Sequence, residues 1–262
     1  MGYTALKRLL SLHPAMLLLQ AITTFAVYRF GAAHLAGPGP VSAATIAFIV
    51  VRTIGLFLAF YGAIYLVFYV LPFTKRRLAP YKIIEQLPRT ALVHQEIVRS
   101  LQSCLIAAGY EIAIYLAVAT GHLKLVAPGL LGSIGIALII LVWTDVHFYA
   151  THRLMHTKWL YKRVHVVHHY SNNPNPFSSF SFHPIEGVAY FSAMLVVFLV
   201  PVSTFHVVFV MMALELLPAY GHLGFGKETS GSYFHFLHHR KNATNFGASI
   251  IWDKLFGTYE AA

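Results

Sequence analysis

The apolar residues of this chain gather in long unbroken runs; they neither alternate along a strand nor recur on one face of a surface helix. Four runs are long: about Leu12 to Gly37, Val41 to Phe73, Leu101 to Val118 and Leu130 to Ala150. Crossing a hydrocarbon core of about 30 Å takes roughly 20 helical residues, so each run predicts a transmembrane helix. The first lacks a small-residue cleavage pattern and exceeds a signal-peptide core, which predicts a retained span. A fifth stretch, Val188 to Leu217, is interrupted by Pro201, and each half falls short of that length. It predicts a tilted or partly inserted helical hairpin. With no barrel-like alternation, heptad or tandem repeat, the expected fold is an all-α integral membrane protein of about four transmembrane helices plus this hairpin.

The polar residues between the runs assign sides, because Lys and Arg in short loops favour the cytoplasmic face. Lys7 and Arg8, then Lys75 to Arg77 with Lys82 and Arg89, then Arg153 to Arg163, then Arg240 and Lys241 all fall on one face of this topology. The Gly37 to Pro40 turn and the loop from Gly121 to Gly129 face the other side, and both termini are expected in the cytosol. Arg52, inside the second run, needs a partner or a route to the interface. Composition agrees: 57% hydrophobic, 11% charged and a mean hydropathy of +0.63 lie far from a soluble globular chain. The net charge of +10 sits in short clusters beside the runs, which fits anionic lipid headgroups and not nucleic acid. Cys104 stands alone, which excludes an internal disulfide and reads as a small core residue.

Sixteen histidines is a high count, and twelve of them fall between His147 and His239, near the ends assigned to the cytosol. Three groups have metal-ligand spacing: His152 and His156 in HRLMH, His165, His168 and His169 in HVVHH, and His235, His238 and His239 in HFLHH. Residues three or four apart share a helix face, so each group can aim its imidazoles at one point. Adjacent histidines diverge by about 100° around the axis, so one of each adjacent pair suits a second ion. Neutral nitrogens without thiolates favour iron, zinc or copper. The isolated His13, His34, His94, His122 and His206 read as core or interfacial residues, and His147 is given no role. Asp145, Tyr149, His152 and His156 form one stripe down the fourth helix. Asp145 there either accepts a ring N–H and fixes a ligand's tautomer, or pairs with an arginine such as Arg153.

The succession DxxxYxxHRxxH (Asp145 to His156), HxxHH (His165 to His169), HPxE (His183 to Glu186) and HxxHH followed by NFG (His235 to Gly247) resembles the fatty acid hydroxylase/sterol desaturase superfamily over about residues 140 to 258. The stretch HHYSNNPNPFSSFSFHPIEG is most similar to its sterol carbon-5 desaturase (lathosterol oxidase) branch. The resemblance implies that residues 1–130 are transmembrane anchor helices. Residues 131–262 would be the catalytic region of the same structural unit, with a histidine-rich cap at the cytosolic face. It implies a non-haem di-iron centre, two iron ions with zinc as a substitute, held by His152, His156, His165, His168, His169, His235, His238 and His239. His222 falls where the family places a further histidine and is the ninth expected ligand. Pro218 and Ala219 occupy a neighbourhood where family members often carry another. His183 belongs to the HPxE turn and is expected to support the ligands from outside. Glu186 either holds a histidine or arginine in place or caps the helix starting near Gly187.

The implied activity is that of a membrane-bound oxidoreductase using dioxygen and two electrons to desaturate or hydroxylate a lipid, sterol or acyl chain. Taking hydrogen from an unactivated C–H bond is beyond acid–base side chains, so a cofactor must do it. The expected partners are a lipid in the bilayer and a b-type cytochrome, ferredoxin or reductase as electron donor, with no nucleic acid. The expected location is the endoplasmic reticulum of a eukaryote or the inner membrane of a bacterium. Phe177, Phe180, Phe182 and Tyr190 are candidates to line a lipid groove. A metal transporter is the rival from another class, but its ligands belong near mid-span in broken helices, whereas these clusters flank the spans. A non-catalytic, lipid-sensing pseudoenzyme would keep the same ligands.

Overall fold

The computed structural model describes residues 14–261, in which every regular element is helical and the sole β pairing is an isolated bridge between Lys82 and Phe225. Helix α1 (Pro14–Ala26) ends in a wider π turn, Val27–Gly31; α2 (Ala43–Tyr65) ends likewise at Leu66–Val70 and is followed by the short α3 (Pro72–Leu78). The long helices α4 (Thr90–Ala119) and α5 (Gly129–Met155) come next. A helical stretch, α6, is built from Lys158–Leu160, the π turn Tyr161–His165 and Val166–His169. The hairpin consists of α7 (Pro184–Phe191), extended by 3-10 turns over Ser192–Phe198, and α8 (Thr204–Leu216). Helices α9 (Gly231–Lys241) and α10 (Ile250–Leu255) close the chain.

Among the described residues, four helices are long and apolar enough to cross a membrane: Ala43–Val70, Thr90–Ala119, Gly129–Met155 and Thr204–Gly221. The fold class is the expected one, and the hairpin's second arm, expected to be too short, is among the four, while the start of the first run, with Lys7, Arg8 and His13, lies outside the described residues. The hairpin also reaches deeper than its arm lengths suggest. Its turn meets the loops at the far end of the bundle: Val126 N–H donates to Val202 O (2.9 Å), and Thr204 Oγ1 donates to Leu35 O (3.0 Å). The 3-10 turns explain the reach, because they rise about 2.0 Å per residue against 1.5 Å in an α-helix.

Helix α4 begins eleven residues before the third apolar run, at Thr90. Its first turns read as polar, yet Glu96, Ser100 and Ser103 form a stripe at helical spacing that is buried, not solvated. Glu96 accepts from Ser171 Oγ (2.5 Å) and Asn175 Nδ2 (2.6 Å), Ser100 Oγ donates to Phe177 O (2.8 Å), and Ser103 Oγ donates to Phe180 O (2.8 Å). This stripe holds the irregular segment that follows the HVVHH motif. Arg52 finds its partner on the same helix: it pairs with Glu111, which also accepts from His34 Nε2 (2.8 Å). A charge pair with both members buried satisfies the demand that each would otherwise make on the bilayer.

Candidate metal centre

Nine histidines converge at the end of the bundle opposite the hairpin turn. The last turn of α5 supplies His152 and His156, α6 supplies His165, His168 and His169, and α9 supplies His235, His238 and His239. His222 follows a single helical turn, Pro218–Gly221, that continues α8. They form two groups in which the nearest ring nitrogens lie within 4.8 Å of one another: His152, His156, His165, His169 and His238 in the first, and His168, His222, His235 and His239 in the second. Helix geometry accounts for the split. His168 and His169 are neighbours in the chain but point into different groups, as do His238 and His239, while His165 and His169, or His235 and His239, stay together at a spacing of four.

The atoms that meet are all Nε2. In the first group, His152 meets His165 at 3.1 Å, His165 meets His169 at 3.1 Å, His169 meets His238 at 3.2 Å, and His238 meets His156 at 3.1 Å. In the second, His222 meets His168 at 3.3 Å and His235 at 3.2 Å, and His235 meets His239 at 3.1 Å. With imidazole–metal bonds of about 2.1 Å, such separations correspond to ligand–metal–ligand angles of about 95° to 105°. Both groups therefore fit one transition-metal ion each.

Partners on the far side of the rings sharpen this. His152 Nδ1 donates to Phe246 O (2.6 Å), His238 Nδ1 to Thr244 O (2.8 Å) and His222 Nδ1 to Pro218 O (3.2 Å), and His165 Nδ1 lies 2.7 Å from Glu186 Oε1. A backbone carbonyl oxygen only accepts, so His152, His238 and His222 carry their proton on Nδ1 and present a bare Nε2 lone pair. His152 and His238 thus bring two bare lone pairs into the first group, which is repulsive unless a cation sits between them. Burial and the neighbouring imidazoles also keep the rings neutral. Desolvation is the larger cause in each case: it lowers His156 to about 2, His169 to about 3 and His222 to about 4, and it holds His165, His168, His235, His238 and His239 well below the ordinary imidazole value. A ligand must be neutral to bind metal, so the fold supplies the required form at any physiological pH.

The residues expected to support the ligands are placed differently. Asp145 touches no histidine and no arginine; it accepts from Ser249 N–H (3.2 Å), Ser249 Oγ (2.6 Å) and Trp252 Nε1 (2.9 Å), fixing the start of α10. Tyr149, one turn on, takes up Arg153, whose Nη1 donates to its hydroxyl (3.0 Å). His183 caps α7, its Nδ1 accepting from Ile185 N–H (3.2 Å), and stays away from the two groups. Glu186 Oε1 lies 2.7 Å from His165 Nδ1, and Glu186 also stands in the first turn of α7, so it meets both of the roles that the sequence left open. The residue that sequence reasoning missed is Asp253. Its carboxylate accepts from the backbone amides of Phe246 and Gly247, both at 2.8 Å, and so fixes the loop whose carbonyl orients His152. Only the NFG tripeptide hinted at it.

Aromatic rings wall the site. Phe148 lies 5.0 Å from His152 and Phe182 lies 5.1 Å from His168, and Tyr190 bridges these two rings at 6.0 and 5.3 Å. Of the four residues expected at a lipid groove, Phe182 is therefore beside a histidine and Tyr190 stands one ring further out. Phe177 and Phe180 instead pack against Phe57 of α2, at 6.1 and 6.0 Å.

Comparison with known proteins agrees with the motifs. Residues 137–258 match the family described as fatty acid hydroxylase. The chain is 32% identical over 125 residues to a Delta(7)-sterol 5(6)-desaturase of Leptosphaeria maculans, covering 45% of this chain and 35% of that protein. It is 47% identical over 47 residues to human lathosterol oxidase, 18% of this chain and 16% of the relative. It is also 36% identical over 138 residues to a very-long-chain aldehyde decarbonylase of Oryza sativa subsp. indica, 46% of this chain and 51% of the relative. The similarity thus spans about half or less of the length of these relatives. No solved structure matches the chain.

Proposed function

We propose, from the premise that residues 137–258 are a fatty acid hydroxylase family region, that this chain is a membrane-bound oxidoreductase whose nine histidines hold two iron ions. Its substrate would be a lipid, a sterol or an acyl chain, which leaves desaturated or hydroxylated. The observation that carries the reading is the convergence of the bare Nε2 atoms of His152 and His238 with three further imidazoles in one buried group. When bound, the metal pair supplies what no side chain can, the activation of dioxygen by two electrons to take hydrogen from an unactivated carbon.

The chain's own residues have definite tasks in this reading. Phe246 O, Thr244 O and Pro218 O fix which nitrogen each of three rings offers. Phe148, Phe182 and Tyr190 close the site from the bundle side and keep water from the reacting carbon. The histidines stand where the spans end, so a lipid can reach them from the bilayer while an electron donor of the b-type cytochrome, ferredoxin or reductase class approaches from the cytosol. The exposed Lys158, Lys162, Arg163 and Arg240 at this end support a cytosolic orientation, in an endoplasmic reticulum or bacterial inner membrane. A transporter is disfavoured because both groups lie buried at one end of the bundle instead of marking a path through it.

Metal content per chain on detergent-purified protein tests this, together with lipid extracts of cells expressing the wild type or His168→Ala. About two irons or substituting zincs, and a lipid gaining a double bond or hydroxyl only with the wild type, are the expected results. Well-folded wild-type protein without stoichiometric metal would overturn the reading.

A further inference from the structure

Seven of the nine histidines stand on α5, α6 and α9 and His156 directly follows the 27-residue α5, whereas His222 stands just past a single turn. Its attachments are also the longest of their kind: 3.2 Å from Nδ1 to Pro218 O and 3.3 Å from Nε2 to His168. Its place therefore depends on what holds the residues after it.

Those residues are held from the N-terminal half of the chain, outside the matched family region. Tyr69, in the π turn that ends α2, has its hydroxyl 2.9 Å from Leu223 O and 3.2 Å from Pro174 O. Leu223 directly follows His222, and Pro174 lies in the loop that leaves α6 after His168 and His169. One phenolic proton is thus shared by the carbonyls of two ligand-bearing loops. The fit is close: Gly224 has φ +73°, and a Cβ there would come within 2.2 Å of Tyr69 Oη and 2.5 Å of Pro174 O. Only glycine lets the backbone pass at this distance. The segment after α2 adds two backbone bonds, Ile83 N–H to Gly224 O (3.1 Å) and Gly226 N–H to Tyr81 O (2.7 Å). Tyr69 itself is immobilised, 4% exposed, with its ring stacked on Tyr65 at 4.8 Å and the Lys82 ammonium 5.5 Å from its centre.

We propose that Tyr69 is a positioning residue for the His222 side of the second metal position: its hydroxyl ties the His222 loop to the loop behind His168 and His169. This rests on the two-metal reading. None of the five histidines of the first group is hydrogen-bonded to Tyr69 or to the His222 loop. Without the hydroxyl, two buried carbonyls lose their donor, and the loop can relax away from His168.

The test is metal per chain, with the visible spectrum of the cobalt-substituted protein, on the full-length wild type, Tyr69→Phe, His222→Ala and Tyr65→Phe. Tyr69→Phe is expected to fall from about two ions to about one and to reproduce the His222→Ala spectrum. Tyr65→Phe removes a hydroxyl from the same stack, and that hydroxyl binds neither loop, so it is expected to behave as the wild type. Two ions and an unchanged spectrum in Tyr69→Phe would overturn the proposal, as would equal loss or aggregation in both tyrosine variants, which would assign the effect to the stack. A wild type without stoichiometric metal would overturn the underlying two-metal reading instead, and this proposal with it.

Discussion

Phe246 gives its carbonyl oxygen to His152 Nδ1 at 2.6 Å, so a backbone atom outside all three histidine motifs decides which nitrogen the first ligand presents. That carbonyl is aimed by Asp253, which grips the amides of Phe246 and Gly247. Asp253→Ala is therefore expected to weaken metal binding in the first group by about 10- to 100-fold, the usual cost of losing an outer support. Titration against a competing chelator measures it, and unchanged affinity would remove Asp253 from the site.

Neighbouring histidines are expected to behave as strangers. His238→Ala should deplete the first group and His239→Ala the second, each leaving about one ion per chain, without preventing membrane insertion. Distinct spectra from the two half-loaded proteins would show that different positions were emptied. Identical spectra would mean that the groups are not separate sites.

Acid should undo the centre steeply. In the unfolded chain the histidines take up protons near pH 6.5, whereas the folded cluster resists until about 4 at His222, about 3 at His169 and about 2 at His156. Between those limits the unfolded state binds more protons, so stability rises with pH there; it is fully present above about pH 6.5 and is lost as pH falls. Metal release and a falling thermal midpoint should begin together below pH 6.5. A midpoint flat from pH 7 to 4 would contradict this.

Asp145→Ala is expected to lower stability by about 1 to 3 kcal/mol, since Ser249 and Trp252 lose an acceptor in a half-buried place, while metal content stays near that of the wild type. Metal loss ahead of any fall in the thermal midpoint would return Asp145 to the ligand support that its helix stripe suggested.

These contrasts mark what the sequence makes legible. The histidine groups can be read because their rings share helix faces at spacings of three and four, and the split of adjacent pairs follows from the 100° step. The supports of the rings cannot, because Phe246, Thr244 and Pro218 act through carbonyl oxygens that every residue carries. Asp145 looks like a support because it shares a stripe with His152 and His156, but its carboxylate turns outward to α10. The burial of Glu96, Ser100 and Ser103 is not legible, because burial is inferred from apolarity and here the buried partner is an irregular segment rich in backbone polar groups. The hairpin looks short because a residue count assumes an α-helical rise.

The division of His168 from His169, and of His238 from His239, has a mechanical consequence. On each of these helices a single peptide unit separates a ligand of one position from a ligand of the other, so the two positions are geared. Turning either helix to draw one ring inward swings its neighbour aside, and neither pocket can be retuned without disturbing its twin. Variation is therefore free to remodel the aromatic walls and the helices of the N-terminal half, but on these two spines it is confined to changes that leave both pockets in register.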